Sequence, residues 1–290
     1  MSHANVKSGF ESGNLIFRPR ASGTVSEVKF TSIPVTISDG WLVLTDASLA
    51  LSGAYRVSGL NAMPSRYELK WVAGARGKPG LNADILNAAE ATRMIADPDF
   101  ELLGTNAVST CSALNVEGGI IITTTGADND QVIILPHLDA SQTAWSATTW
   151  GTDKNTVWEC FIETPAVITT MTIFAGLKLT NTSVTATDDD QAFFRYAAAT
   201  NTGKWQAIAS SAGTDVAADT LVTVAAATQY HLKIVITSLI PYFYINSNLV
   251  ATGAALVTAK DLIPYIGIHT NVAGARSLVV YGQAISRVAG

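Results

Sequence analysis

The sequence predicts a mainly β protein whose larger part is an antiparallel β-sandwich. Three observations carry this. In Tyr230-His231-Leu232-Lys233-Ile234-Val235-Ile236-Thr237 the apolar residues fall at every second position, the mark of a half-buried strand. Pro241-Tyr242-Phe243-Tyr244-Ile245, the turn Asn246-Ser247-Asn248 and Leu249-Val250 then read as a hairpin. From Phe100 onward, short strand-like segments recur between turn residues, about a dozen in all, which points to two stacked antiparallel sheets, a sandwich or jelly roll.

The elements follow in chain order. Residues 1–66 form a smaller β-rich part, with strands expected at Asn14–Phe17, Glu27–Phe30, Val35–Ile37 and Trp41–Leu44 between Gly23, Pro34 and Asp39-Gly40. The first dozen residues are small and polar and read as an arm that orders against a partner. Residues 67–100 read as a connector. Gly74-Ala75-Arg76-Gly77-Lys78-Pro79-Gly80 is a basic loop, and Asn82 caps one short helix that runs to Ile95 before Pro98. Residues 101–290 form the sandwich, with further strands expected at 119–124, 131–135, 157–163, 171–180, 191–196, 204–210, 262–270 and 276–287.

Composition supports this and narrows the function. Charged residues make up 14% of the 290 and hydrophobic residues 48%, so charge falls well below the usual quarter. Thr occurs 19 times between positions 101 and 200, and its branched Cβ favours extended backbone. Few charges on a stable β protein imply a surface covered by neighbours, and a homo-oligomer is expected. The net charge is −5. Residues 1–100 carry 10 Lys/Arg against 9 Asp/Glu, and residues 101–290 carry 8 against 14. No basic stripe results, so nucleic acid is not an expected partner. No apolar run approaches the ~18–20 residues that span a bilayer, and no membrane association is expected. Met1-Ser2-His3-Ala4-Asn5 lacks the charged and apolar regions of a secretory signal. Cys111 and Cys160 both lie in strand-like segments; they could meet across a sheet, but buried free thiols are the expectation for a protein made in a cytoplasm.

Trp158 to Glu163, Phe174-Ala175-Gly176-Leu177, Asp188 to Phe194, Tyr230-His231-Leu232, Phe243 to Asn246 and Leu262 to Gly267 succeed one another in an order that resembles a known family. The resemblance is to the concanavalin-like (laminin G-like) jelly roll, in the version carried by tailed-bacteriophage virion structural proteins. It covers about residues 100–290 and leaves residues 1–66 unplaced. It implies a non-enzymatic virion protein, a capsid decoration or cement protein on the capsid surface, with the major capsid protein as partner. In that reading Phe10, Leu15, Phe17, Arg18 and Arg20, with Arg76 and Lys78 of the basic loop, anchor the shell. The alternative is an arm that packs on its own domain. A second reading is a head-fibre or tail-fibre module that binds host polysaccharide, with Trp145 and Trp150 in polar loop surroundings as the glycan-stacking residues. Trp205 and Tyr242 are further aromatic candidates.

A third reading is enzymatic. Glu159 and Glu163 share one strand face about 13 Å apart at roughly 3.3 Å per residue, and paired carboxylates on such a face serve glycoside hydrolysis. Phe161 stands between them and can neither hydrogen-bond nor tune a neighbour. The expectation is therefore a solvent face of Glu159, Phe161 and Glu163 opposite a buried face of Trp158, Cys160 and Ile162. The acidic turns Asp188-Asp189-Asp190 and Asp128-Asn129-Asp130 read as solvated turns. A structural calcium is the alternative, and no other cofactor is expected. His3, His137, His231 and His269 show no metal-ligand spacing, and residues 74–80 lack the Gly-Lys-Ser/Thr ending of a phosphate cradle. His231 alternates with core residues and is expected to face outward.

Overall fold

The structure, a computed structural model, describes residues 100–136, 149–180 and 188–288 with their side chains, and before residue 100 the backbone of the strands. The chain divides into two units, Met1–Ser65 and Arg66–Gly290. The first holds two three-stranded antiparallel sheets. One is β1 (Val6–Glu11), β2 (Asn14–Pro19) and β3 (Val28–Phe30); the other is β4 (Val35–Ser38), β5 (Trp41–Leu44) and β6 (Gly53–Arg56).

The second unit is a two-sheet antiparallel β-sandwich. It begins with β7 (Arg66–Val72), β8 (Lys78–Gly80), β9 (Ala96–Leu103), β10 (Ser112–Leu114) and β11 (Ile120–Thr123). Next come β12 (Gln131–Pro136), β13 (Val157–Glu163), β14 (Met171–Lys178), β15 (Gln191–Ala197) and β16 (Lys204–Ser211). The remainder are β17 (Thr214–Thr223), β18 (Gln229–Thr237), β19 (Ile240–Ile245), β20 (Asn248–Thr252), β21 (Ile263–Thr270) and β22 (Ser277–Val288). One sheet runs β10-β11-β22-β13-β18-β19-β20, with β7 also paired to β22. The other runs β17-β16-β15-β14-β21-β12-β9-β8. The β8–β9 pair is parallel. The stretch 67–100 thus contributes β7 to the first sheet and β8 and β9 to the second; the helix expected over 82–95 lies outside the described residues.

Side-chain alternation explains how the layers stack. Trp158, Cys160 and Ile162 of β13 and Leu232, Ile234 and Ile236 of β18 point inward, where they meet Ile173, Ala175 and Leu177 of β14. Each fully buried large apolar side chain contributes roughly 1.5–3 kcal/mol. Trp205 stands edge-on to Phe194, Tyr196 and Tyr230, with ring centroids 6.3, 6.1 and 5.7 Å away. Both cysteines are buried free thiols, and burial pushes the Cys160 thiol well above the ordinary value. Gly176 is required by close strand approach, because a Cβ there would lie 2.4 Å from the Ala192 carbonyl oxygen and 2.5 Å from the Phe193 Cα.

The two outward faces differ, and this positions the site. In the β14 sheet, Val132 and Ile134 of β12 join the central core while Ile133 and Leu135 point the other way into a second buried cluster with Phe193, Ile208, Ile263 and Tyr265. Burial on both faces is why β12 reads as a continuous apolar run. In the β13 sheet, β13 and β18 bury only alternate residues. That outward face is open.

Candidate functional site

The open face of the β13 sheet carries a groove of about 440 Å³, lined by Phe161, Ile162, Gln229, Tyr230, His231, Asn246 and Tyr281. Three strands build it. β13 lies between β18 and β22, and Phe161 stands opposite His231 on one side and Gly282 on the other. The Phe161 and His231 rings stack face to face, with centroids 4.3 Å apart and planes within 5°. Gly282 places no side chain beside the other face of Phe161, which is 50% exposed. The register between β13 and β22 shifts at Phe161/Ile162, and such a bulge re-aims side chains locally.

Polar groups rim this platform. On one side of Phe161, His231 Nε2 lies 3.0 Å from Glu159 Oε2. On the other, the Tyr281 hydroxyl donates to Glu163 Oε2 at 2.6 Å and the Gln229 amide donates to the same oxygen at 3.1 Å. Hydrogen bonds from Tyr281 and then Gln229 outweigh burial and hold the Glu163 carboxyl below the usual value. It is therefore ionised near neutrality. The same bond to Glu163, helped by burial, pushes the Tyr281 phenol up. Asn246 Oδ1 accepts the His231 backbone N–H at 3.0 Å.

The alternation of the sequence is seen at β13: Glu159, Phe161 and Glu163 face outward and Trp158, Cys160 and Ile162 are buried. The two glutamates do not converge on one point, since each carboxylate is engaged by different partners with Phe161 between them. Glu163, held ionised, is not a proton donor for glycoside hydrolysis near neutral pH. His231 faces outward as its strand predicts. Gln229, Asn246 and Tyr281 were not singled out by the sequence. Their signal is position: Gln229 and Tyr281 occupy outward positions on their strands, but only the register brings them to Glu163, 66 and 118 residues away.

The expected glycan-stacking tryptophans fare differently. Trp150 is corrected: it lies in a loop as expected, but it is 1% exposed and belongs to the central core. Its backbone N–H donates to Asp261 Oδ1 at 2.5 Å, and the neighbouring Gly151 bridges to Asp261. Trp205 is fully buried. Trp145 lies outside the described residues. Phe10, Leu15, Phe17 and Arg18 fall on β1 and β2 and Lys78 on β8; Arg20 and Arg76 lie outside the described residues.

The acidic turns, expected to be solvated, bury Asp130, Asp188 and Asp190, which are 1%, 5% and 0% exposed. Burial raises the Asp130 pKa, yet bonds from Thr125, Asn106, Ala127 and Gly126 outweigh it and hold the carboxyl low. Asp188 pairs with Lys178 at 3.6 Å and accepts from the Thr180 hydroxyl at 2.6 Å. Asp190 pairs with Lys260 at 3.3 Å. Among the described residues no three His, Cys, Asp or Glu side chains group to hold a metal ion.

No protein-family model and no curated protein sequence matches the chain. Among solved structures, a protein of unknown function from Shewanella oneidensis MR-1 is similar with a TM-score of 0.50 and 12% identity, over 77% of this chain and 87% of its own. An alginate lyase of polysaccharide lyase family 7 is similar with a TM-score of 0.44 and 15% identity, over 63% and 85%. The carbohydrate recognition domain of Emp46p is similar with a TM-score of 0.48 and 9% identity, over 70% and 94%. At these identities the likeness is one of fold.

These findings correct the virion resemblance. Of the three, the two with a named activity are an alginate lyase and a carbohydrate recognition domain, and the third has no known function, so none of them supports a virion role. The capsid-decoration function, the non-enzymatic assignment, the major capsid protein as partner and the capsid-surface location fall with it. The physical reason is that strand order and apolar alternation report a sandwich, and sandwiches of one architecture serve unrelated functions. The anchoring residues lose the shell they were assigned to grip.

Proposed function

We propose that the Arg66–Gly290 unit binds a polysaccharide chain along the open face of the β13 sheet, and that its sandwich is a concanavalin-like jelly roll. The observation that carries the function is Phe161, half exposed and braced by the stacked His231 ring, with hydrogen-bonding groups on both sides. A sugar ring is amphipathic, with C–H groups on its faces and hydroxyls at its edge. An aromatic platform with polar groups beside it matches both parts. Phe161→Ala should weaken binding of a glycan found by array screening at least tenfold in titration calorimetry, about 1.4 kcal/mol, with the thermal midpoint little changed. Unaltered affinity in that variant would remove the groove as the binding site.

The Glu159–His231 pair favours a second reading, cleavage of the bound chain. A carboxylate at 3.0 Å from the imidazole Nε2 fixes the ring, and His is the side chain best suited to proton transfer near neutrality. His231→Gln should then abolish release of new chain ends while the glycan still binds. Wild-type protein that releases no product from a chain it binds would dismiss cleavage.

A further inference from the structure

We infer that the groove takes a chain of uncharged or amino-bearing sugars and turns away polyuronates. This rests on the polysaccharide reading above and deepens it. Its basis is the charge and hydrogen-bond character of the walls. The lining residues include no Lys or Arg. Glu159 and Glu163 stand on the same outward face on either side of Phe161, so a ring stacked on Phe161 has a carboxylate toward each edge.

Sites that hold polymeric anions present guanidinium or ammonium groups, often in bidentate pairs with the ligand carboxylates. Here the sign is reversed. Two like charges 4 Å apart repel by about 1 kcal/mol even in a water-like medium, and by more where the groove excludes water. A polyuronate carries a carboxylate on every ring, so each ring placed on Phe161 meets this repulsion. Lys233 stands opposite Glu159 in register and, like both glutamates, lies just outside the groove lining. It offsets part of the Glu159 charge, so Glu163 carries the larger share of the repulsion.

Hydrogen-bond inventory agrees. Ionised carboxylates only accept. One Glu163 oxygen takes the Tyr281 and Gln229 donors, and one Glu159 oxygen meets His231. The outer rim is therefore rich in acceptors and calls for a ligand rich in donors. Sugar hydroxyls and ammonium groups supply these, and bonds to an ionised acceptor are the stronger kind.

The test is calorimetry of the full chain with three oligosaccharides of equal length: a neutral β-1,4-glucan, a chitosan and an oligouronate. The expected result is binding of the glucan or chitosan at least tenfold tighter than the oligouronate. The Glu159→Gln/Glu163→Gln double variant should shrink that gap severalfold. Oligouronate binding as tight as that of the glucan, or a gap unchanged in the double variant, would overturn the selectivity. Phe161→Ala separates the two claims. If the oligouronate binds the wild-type chain as tightly as the glucan and Phe161→Ala abolishes that binding, the groove stands and the selectivity falls. If all binding survives the substitution, or no oligosaccharide binds the wild-type chain, both fall.

Discussion

At the scale of single residues, the open face is organised around hydrogen bonds that fix protonation. Tyr281 and Gln229 donate to one oxygen of Glu163 and hold its pKa below the ordinary 4.5. A carboxyl with a lowered folded pKa gives stability that is fully present above its unfolded value and lost as pH falls through the folded one. The Tyr281 phenol is raised above its ordinary 10.0, so its contribution holds below that value and declines as pH climbs past it. Tyr281→Phe should therefore cost about 1 kcal/mol at neutral pH, the usual range for one part-buried hydrogen bond near solvent. The cost should vanish in acid, once Glu163 is protonated. Denaturation midpoints of wild type and variant across the acid range check this; curves that stay parallel down to full protonation would show that the bond carries no linkage.

At the scale of elements, what could be seen in the sequence was what alternation reports. Tyr230, Leu232, Ile234 and Ile236 bury together on β18 as their spacing predicts. Asn246 and Ser247 adopt positive φ of 49° and 69° between β19 and β20, the left-handed pair that suits a two-residue hairpin turn. Pairing was not legible. β13 lies between β18 and β22, and nothing in Trp158–Glu163 names either neighbour, since both register partners are apolar-alternating strands of the same kind. The groove is a product of that pairing, so Phe161 was visible as an outward residue but not as the centre of a site. Trp150 failed for a related reason. Its polar neighbours marked a loop, yet the indole joins the central core and the next residue, Gly151, bridges to Asp261, a contact 110 residues distant in sequence. The segment before Phe100 shows the same limit, because β7 and β9 reach their sheets through the distant strands β22 and β12.

At the scale of the whole sandwich, one sheet face is open and carries the groove while the other is buried, and the two should respond separately to mutation. On the buried side Lys178 is 1% exposed, with its ammonium 3.6 Å from Asp188 and 5.3 Å from the Tyr265 ring centroid. Burial pushes the Lys178 pKa down, while the Asp188 charge and hydrogen bond oppose the shift. Removing one member of a buried ion pair leaves the other charge uncompensated, at a cost of about 3–5 kcal/mol. Lys178→Met should therefore lower the urea midpoint strongly, and adding Asp188→Asn should recover part of the loss, because the stranded charge is then gone. The double-mutant cycle isolates that coupling; a double variant no more stable than Lys178→Met would mean that the pair is not coupled. Glycan affinity, measured below the unfolding range, should match wild type in both variants. The groove is built on β13, β18 and β22, and Lys178 belongs to the opposite sheet, so an affinity change would mean that the two layers communicate through the shared core.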